Sequence, residues 1–194
     1  MPDIRDEMVE VCRMLYDRRL TASGGNVSAR DGNRILVSPR HMGSRYRGRI
    51  TRDMIVETDA HGNVLSGEGE ASRELMIHLD LLREFTAAGA VIHAHPEYTS
   101  VFASAEKPIP SAVEYTDDYG DIVLVDPAPA HSEELARNVR RKMRDVAKGF
   151  PSGGRAVLLP RHGIVVMGTD MADAFDALER IETSARCRIL SKLI

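Results

Sequence analysis

Two histidines two residues apart, His93 and His95, follow the apolar run Ala90-Val91-Ile92 and precede Pro96. Along an extended strand, side chains at i and i+2 leave the same face. The two imidazoles can therefore aim at one point, and Pro96 disfavours helical geometry at His95. A borderline cation such as Zn²⁺ suits two neutral imidazoles, with further ligands arriving from elsewhere. Alone, the pair is a modest signal. A third histidine, His162, sits between the apolar runs 156–159 and 164–167, beside Gly163. With the first two converging, it is the natural third ligand. Three protein ligands leave positions open for water or substrate, which is the arrangement of a catalytic metal.

Other residues bear on the same chemistry. The segment 72–85 reads as an amphipathic helix capped by Ser72, with Glu74 in its first turn and His78 one turn later on the same face. A carboxylate there complements the helix dipole, the simpler reading of Glu74 taken by itself. An N-cap hydroxyl and the free N–H groups behind it can also bind phosphate. The stretch 20–28 contains Ser23-Gly24-Gly25-Asn26. It reads first as a tight turn and second as a cradle for an anion. Between Ser38 and Arg49 lie Arg40, Arg45, Arg47, Arg49 and His41, in a chain of net charge −3. Such a loop is either solvated or shaped to grip phosphate or carboxylate through guanidinium forks. His41, His61 and His131 fall in loops and read as solvated.

The elements that position these residues follow from periodicity and breakers. Helical spacing covers 3–19, with Asp3 as cap and a stripe of Ile4, Met8, Val11, Cys12 and Leu15. Hairpin signals join 27–30 to 34–38 and 54–58 to 64–65. Strands are expected at 91–95, 112–115, 122–125, 156–159 and 164–167, and helices at 98–104, 132–148 and 170–190. The run 151–154 breaks the chain. With 194 residues, 43% hydrophobic and 28% charged, the chain reads as one domain, 1–194, with a full core. The slightly negative charge argues against nucleic acid. No run approaches the roughly 18 apolar residues of a membrane span. The charged N-terminus is no signal peptide, and two cysteines, Cys12 and Cys187, fit a reduced, cytoplasmic protein.

Taken together and in order, these motifs resemble the class II aldolase/adducin family over nearly the whole chain. Gly25-Asn26-Val27-Ser28 is similar to that family's phosphate-binding turn. Ala71-Ser72-Arg73-Glu74 followed by His78 is similar to its P-S-S-E-x-x-x-H segment, with Arg73 in place of the second serine. His93-Ala94-His95 and Arg161-His162-Gly163 resemble its zinc histidines. The resemblance implies an α/β fold, a three-layer α/β/α sandwich with a largely antiparallel central sheet. It implies a homotetramer and a Zn²⁺ cofactor, or another divalent transition metal, held by His93, His95 and His162. It further implies cleavage of a phosphorykated ketose of the fuculose 1-phosphate kind to dihydroxyacetone phosphate and an aldehyde. Glu74 would be the base, and Tyr115 a proton donor from a neighbouring subunit. Gly25, Asn26, Gly43, Ser44, Ser72 and Arg73 would hold the phosphate. Decarboxylases, dehydratases and 4-epimerases of sugar phosphates or sugar acids share the scaffold, and an adducin-like interaction module is the non-enzymatic alternative. The arginine-rich loop suggests a more anionic substrate or a different grip on the phosphate.

Overall fold

Alternation of apolar residues along the strands and apolar stripes along the helices build two cores on either side of one sheet. The structure is a computed structural model and describes residues 3–150 and 153–194. Helix α1 (Ile4–Asp17) is capped by Asp3, whose carboxylate accepts from the Arg5 N–H, and it buries Met8, Val11, Cys12 and Leu15. Strands β1 (Asn26–Asp31) and β2 (Arg34–Val37) form a hairpin closed by Gly32-Asn33. A second hairpin joins β3 (Val56–Thr58) to β4 (Val64–Ser66). After α2 (Leu75–Glu84), β5 (Ala90–Ala94) and α3 (Glu97–Ser104) come α4 (Glu133–Val146), β6 (Arg155–Leu159), β7 (Gly163–Gly168) and α5 (Met171–Leu190).

The seven strands lie in the order β4-β3-β2-β1-β5-β7-β6, and every ladder between them is antiparallel. Successive strand residues face opposite sides. Ala90, Ile92 and Ala94 join the core under α1 and α5, whereas Val91 joins the core under α2 and α4. His93 shares the parity of Val91. Its register partner on β1 is Asn26, and Ser28 lies opposite Val91. Asn26, Ser28 and His93 are thus delivered to one patch of the sheet, on the α2 side. The layers are those expected, α/β/α around a largely antiparallel sheet.

Two expected strands are absent. The segment 112–115 leads instead into a 3-10 helix, Glu114–Tyr119. Its backbone is claimed by hydroxyls: the Ala112 N–H donates to Ser184 Oγ, and Thr116 Oγ1 donates to the Val113 carbonyl. Such bonds compete with a ladder. The run 122–125 makes only isolated bridges, Ile109 to Ile122 and Leu124 to Leu158. Pro127 and Pro129 follow it, and neither can donate to a ladder. Helix α2 begins at Leu75, two residues later than the Ser72 cap implies. In the expected break at 151–154, Pro151 and Ser152 lie outside the described residues. No described helix is long and apolar enough to cross a membrane.

Candidate metal and catalytic centre

Three neighbouring strands end at the same edge: β1 begins at Asn26, β5 ends at Ala94 and β7 begins at Gly163. Antiparallel pairing brings these ends together, and with them His93, His95 and His162. One ligand nitrogen from each of the three imidazoles lies within 4.8 Å of the other two. His95 Nε2 stands 2.9 Å from His93 Nε2. His93 is fully buried, and its Nδ1 lies 3.0 Å from the Ile164 carbonyl, which only accepts. Nδ1 therefore carries the proton, and the neutral ring turns the lone pair of Nε2 toward His95. Such a backbone carbonyl is a common orienting partner of metal-binding imidazoles.

Burial keeps the rings neutral. Desolvation holds His93 well below the ordinary imidazole range and pulls His95 down to about 3, with neighbouring imidazoles adding to the effect. His162 is lowered as well, chiefly by burial and against the attraction of Glu74. Three neutral imidazoles with a ring nitrogen each turned to one point are a donor set for a borderline divalent cation. The residues present fit such an ion.

Tight packing fixes the ring of His95. A Cβ added at Gly24 would meet His95 Cε1 at 2.3 Å, and one added at Gly163 would meet His95 Cδ2 at 2.5 Å. The imidazole thus lies between two glycines, one from the loop before β1 and one from the start of β7. This close approach explains two motif glycines whose role the sequence leaves open. Gly25 has a φ of +85°, the left-handed region that favours glycine.

Glu74 stands at the N-terminal end of α2, but its side chain makes no capping bond to its own helix. Its N–H donates to Ser72 Oγ at 3.2 Å, and its carboxylate turns to the sheet. The helix-dipole reading of Glu74 is therefore not its whole role. Oε2 accepts from Asn26 Nδ2 at 3.0 Å and lies 3.2 Å from His93 Nε2. Oε1 is buried with no hydrogen-bond partner among the described residues. It lies 3.5 Å from His162 Nε2 and 3.8 Å from His131 Nδ1. A buried carboxylate oxygen without a partner costs about 1–3 kcal/mol or more, and calls for a role.

Behind Asn26 runs a directed chain. Asn26 Oδ1 can only accept, so His78 Nε2 donates to it, and His78 Nδ1 then accepts from Ser28 Oγ at 2.7 Å. That arrangement requires a neutral His78, and burial lowers its pKa to about 4. The chain Ser28–His78–Asn26–Glu74 fixes the orientation of the carboxylate. It also commits most of the Asn26 amide, leaving one Nδ2 hydrogen for a ligand.

These groups open on a cavity of about 240 Å³. Gly25, Asn26, Ser44, Ser72, Arg73 and Glu74 line it, as do His95 and His162. Gly43 stands behind the wall, where an added Cβ would lie 2.5 Å from the Gly24 carbonyl oxygen. Tyr115 is not part of this cavity. It is 49% exposed on the 3-10 helix, with Arg180 over its ring at 5.5 Å. His41 and His131, read as solvated, line the cavity although exposed, and Ser23 and Arg40 join them. Of the four loop arginines only Arg40 reaches it, its Nη1 paired with Glu70 at 2.5 Å. Arg45 lies over the Tyr46 ring, and Arg49 faces Asp17 at 3.7 Å. No spacing rule links residue 131 to residue 74, so sequence alone carries no signal for His131.

Known proteins bear on this geometry. Residues 6–189 match the family described as Class II Aldolase and Adducin N-terminal domain. A protein named L-fuculose phosphate aldolase from Methanococcus maripaludis is 32% identical over 182 residues, covering 93% of each chain. A 3-oxo-tetronate 4-phosphate decarboxylase from Haemophilus influenzae is 30% identical over 190 residues, covering 94% of this chain and 85% of its own. Among solved structures, an L-fuculose 1-phosphate aldolase superposes with a TM-score of 0.85 at 29% identity, covering all of this chain and 88% of that one.

Two outcomes follow from the packing and the hydrogen-bond chain. Gly24→Ala pushes on the His95 ring and should lower bound divalent metal at least several-fold, measured by elemental analysis, while far-ultraviolet circular dichroism stays unchanged. Unaltered metal content would show that the ring tolerates displacement. Unfolded His78 titrates near 6.5 and folded His78 near 4. Between those values the unfolded chain binds a proton that the native chain does not. Stability is thus full above pH 6.5 and falls as the pH drops, by about 2 kcal/mol between pH 7 and 5 from His78 alone. Urea unfolding at the two pH values should show that fall shrinking in His78→Gln; an equal fall in both proteins would contradict it.

Proposed function

The chain belongs to the class II aldolase and adducin N-terminal domain family and is a carbon–carbon lyase of the aldolase kind, and on that premise we propose that it cleaves a phosphorylated ketose to dihydroxyacetone phosphate and an aldehyde with the aid of Zn²⁺. The observation that carries this reading is Glu74, one oxygen held and the other free, set against three converging imidazoles. The cytoplasm as location and a tetrameric assembly belong to the same proposal.

His93, His95 and His162 would hold the cation. When bound there, it supplies Lewis-acid polarisation of the ketone and stabilises charge on its oxygen. In the condensation direction, Glu74 Oε1 takes the proton from the carbon beside the ketone. Asn26 Nδ2 holds Oε2 in place, so the free oxygen faces the reacting carbon without reorganising. In the cleavage direction Glu74 returns that proton to the same carbon. The Gly25 backbone, the remaining Asn26 hydrogen, Ser44, Ser72 and Arg73 offer donors for the phosphate along one wall of the cavity. Gly43 shapes that wall from behind. Tyr115, exposed and remote from the cavity of its own chain, is suited to serve a neighbouring copy, where its phenol would protonate the aldehyde oxygen.

A second reading has its own observation. Arg40 and Arg73 face a cavity whose lining holds a single carboxylate, Glu74, and Arg40 Nε is buried without a partner among the described residues. Two guanidinium groups suit a substrate bearing a carboxylate besides its phosphate, as a phosphorylated sugar acid does. Decarboxylation would use the same polarised ketone to receive the electrons of the bond to carbon dioxide. Release of aldehyde from fuculose 1-phosphate against release of carbon dioxide from a 3-oxo sugar-acid phosphate separates the two.

Glu74→Gln keeps the shape of the side chain and removes the base. Exchange of dihydroxyacetone phosphate hydrogen with deuterated water should fall at least about a hundredfold, since general-base groups contribute 10²–10⁴-fold, while bound metal is retained. Exchange at the wild-type rate would remove Glu74 from this role.

A further inference from the structure

We propose that His131 is the residue that donates a hydrogen bond to the aldehyde-side oxygen of the substrate. This rests on the aldolase reading above and adds to it a group that the sequence reading assigned to solvent.

The geometry centres on the free oxygen of Glu74. His131 Nδ1 stands 3.8 Å from Glu74 Oε1. That is too long for a direct hydrogen bond. It is a span that one oxygen, about 2.8 Å from each, can bridge. Glu74 itself is 5% exposed, and this oxygen has no hydrogen-bond partner among the described residues. The His131 side chain is 33% exposed, so it stands on the open side of the cavity.

The imidazole is also held in place. His131 has a φ of +65°, a left-handed conformation that side-chain-bearing residues adopt uncommonly. The turn around it is closed by Ser132, whose N–H and Oγ both donate to the Pro129 carbonyl, at 3.2 and 2.7 Å. Ser132 Oγ also accepts from the Leu135 N–H and so caps α4. The histidine therefore projects from a turn anchored to a helix rather than from a free loop.

Chemistry places the aldehyde next to Glu74. The carbon that gives its proton to Oε1 is the carbon whose electron pair forms the new bond. As that bond forms, the π pair of the aldehyde withdraws onto its oxygen, which becomes a hydroxyl by taking the proton of the Tyr115 phenol that the aldolase reading brings from a neighbouring copy. Cleavage reverses each transfer. The aldehyde oxygen must lie within a bond or two of the carbon beside Oε1, where His131 faces it. A donor aimed at developing oxyanion charge favours the transition state over the ground state. His131 supplies that hydrogen bond and keeps its own proton. It acts from within the chain, beside any contribution from the Tyr115 of a neighbouring copy.

The half-reactions separate this role from that of Glu74. Hydrogen exchange of dihydroxyacetone phosphate needs no aldehyde, whereas condensation with glycolaldehyde does. Zinc-loaded His131→Phe keeps a ring but loses the donor. It should exchange within about twofold of wild type and condense about ten- to a hundredfold more slowly, as expected for one lost hydrogen bond to developing charge. His131→Asn retains a donor and tolerates the left-handed backbone, and should recover most of the loss. Condensation by His131→Phe at the wild-type rate overturns the proposal. Equal loss of exchange and condensation also overturns it, because His131 would then act on Glu74. So does a His131→Asn protein no faster than His131→Phe. A wild-type protein that neither exchanges nor cleaves would instead overturn the aldolase reading, and this inference with it.

Discussion

A buried carboxylate beside three imidazoles is the constraint on which the rest depends. Removing the charge of Glu74 from water is costly unless donors or a cation replace the lost hydration. Half of that replacement is built into the chain. Asn26 donates to one oxygen, and Asn26 is itself held by His78, which Ser28 holds in turn. The other oxygen has only histidine nitrogens at 3.5 and 3.8 Å. A cation at the imidazoles and a substrate in the cavity would complete its surroundings.

The fold supplies that arrangement economically. Placing β5 between β1 and β7 sets Asn26 opposite His93 and Gly163 beside His95. Strand parity sends His93 toward α2, whose N-terminal end delivers Glu74 to the same patch. Gly24 and Gly163 flank the His95 ring, so its position is set by sterics and does not rely on a long hydrogen bond. Rigid elements thus carry the histidines and the carboxylate. The more exposed turns at 39–48 and 129–132 carry Arg40, His41, Ser44 and His131, the groups that face an incoming ligand. A change in those turns reshapes the mouth of the cavity without disturbing the three histidines.

Much of this was legible in the residues. The spacing of His93 and His95 and the lone His162 pointed to one site, because period-two geometry and strand ends are local facts. Helix spans and caps at Asp3, Ser132 and Asp170 agree with the structure, since each is decided by adjacent residues. What failed was decided at a distance. The strand expected at 112–115 loses its N–H to Ser184, seventy-two residues away. The arginine loop read as either solvated or anion-gripping, and the structure divides it: Arg40 faces the cavity, whereas Arg49 is drawn to Asp17 on α1. His131 looked solvated because nothing near it in sequence hints at Glu74. His78 read as a same-face neighbour of Glu74, and the structure shows it acting through Asn26 on another element.

The most direct test concerns the metal. Purified protein should contain close to one equivalent of divalent metal per chain by elemental analysis. The same protein with His93, His95 and His162 all changed to alanine should contain essentially none. One equivalent retained in the triple variant would contradict the account, because the ion would then have no need of the three histidines around which the sheet edge, the paired glycines and Glu74 are arranged.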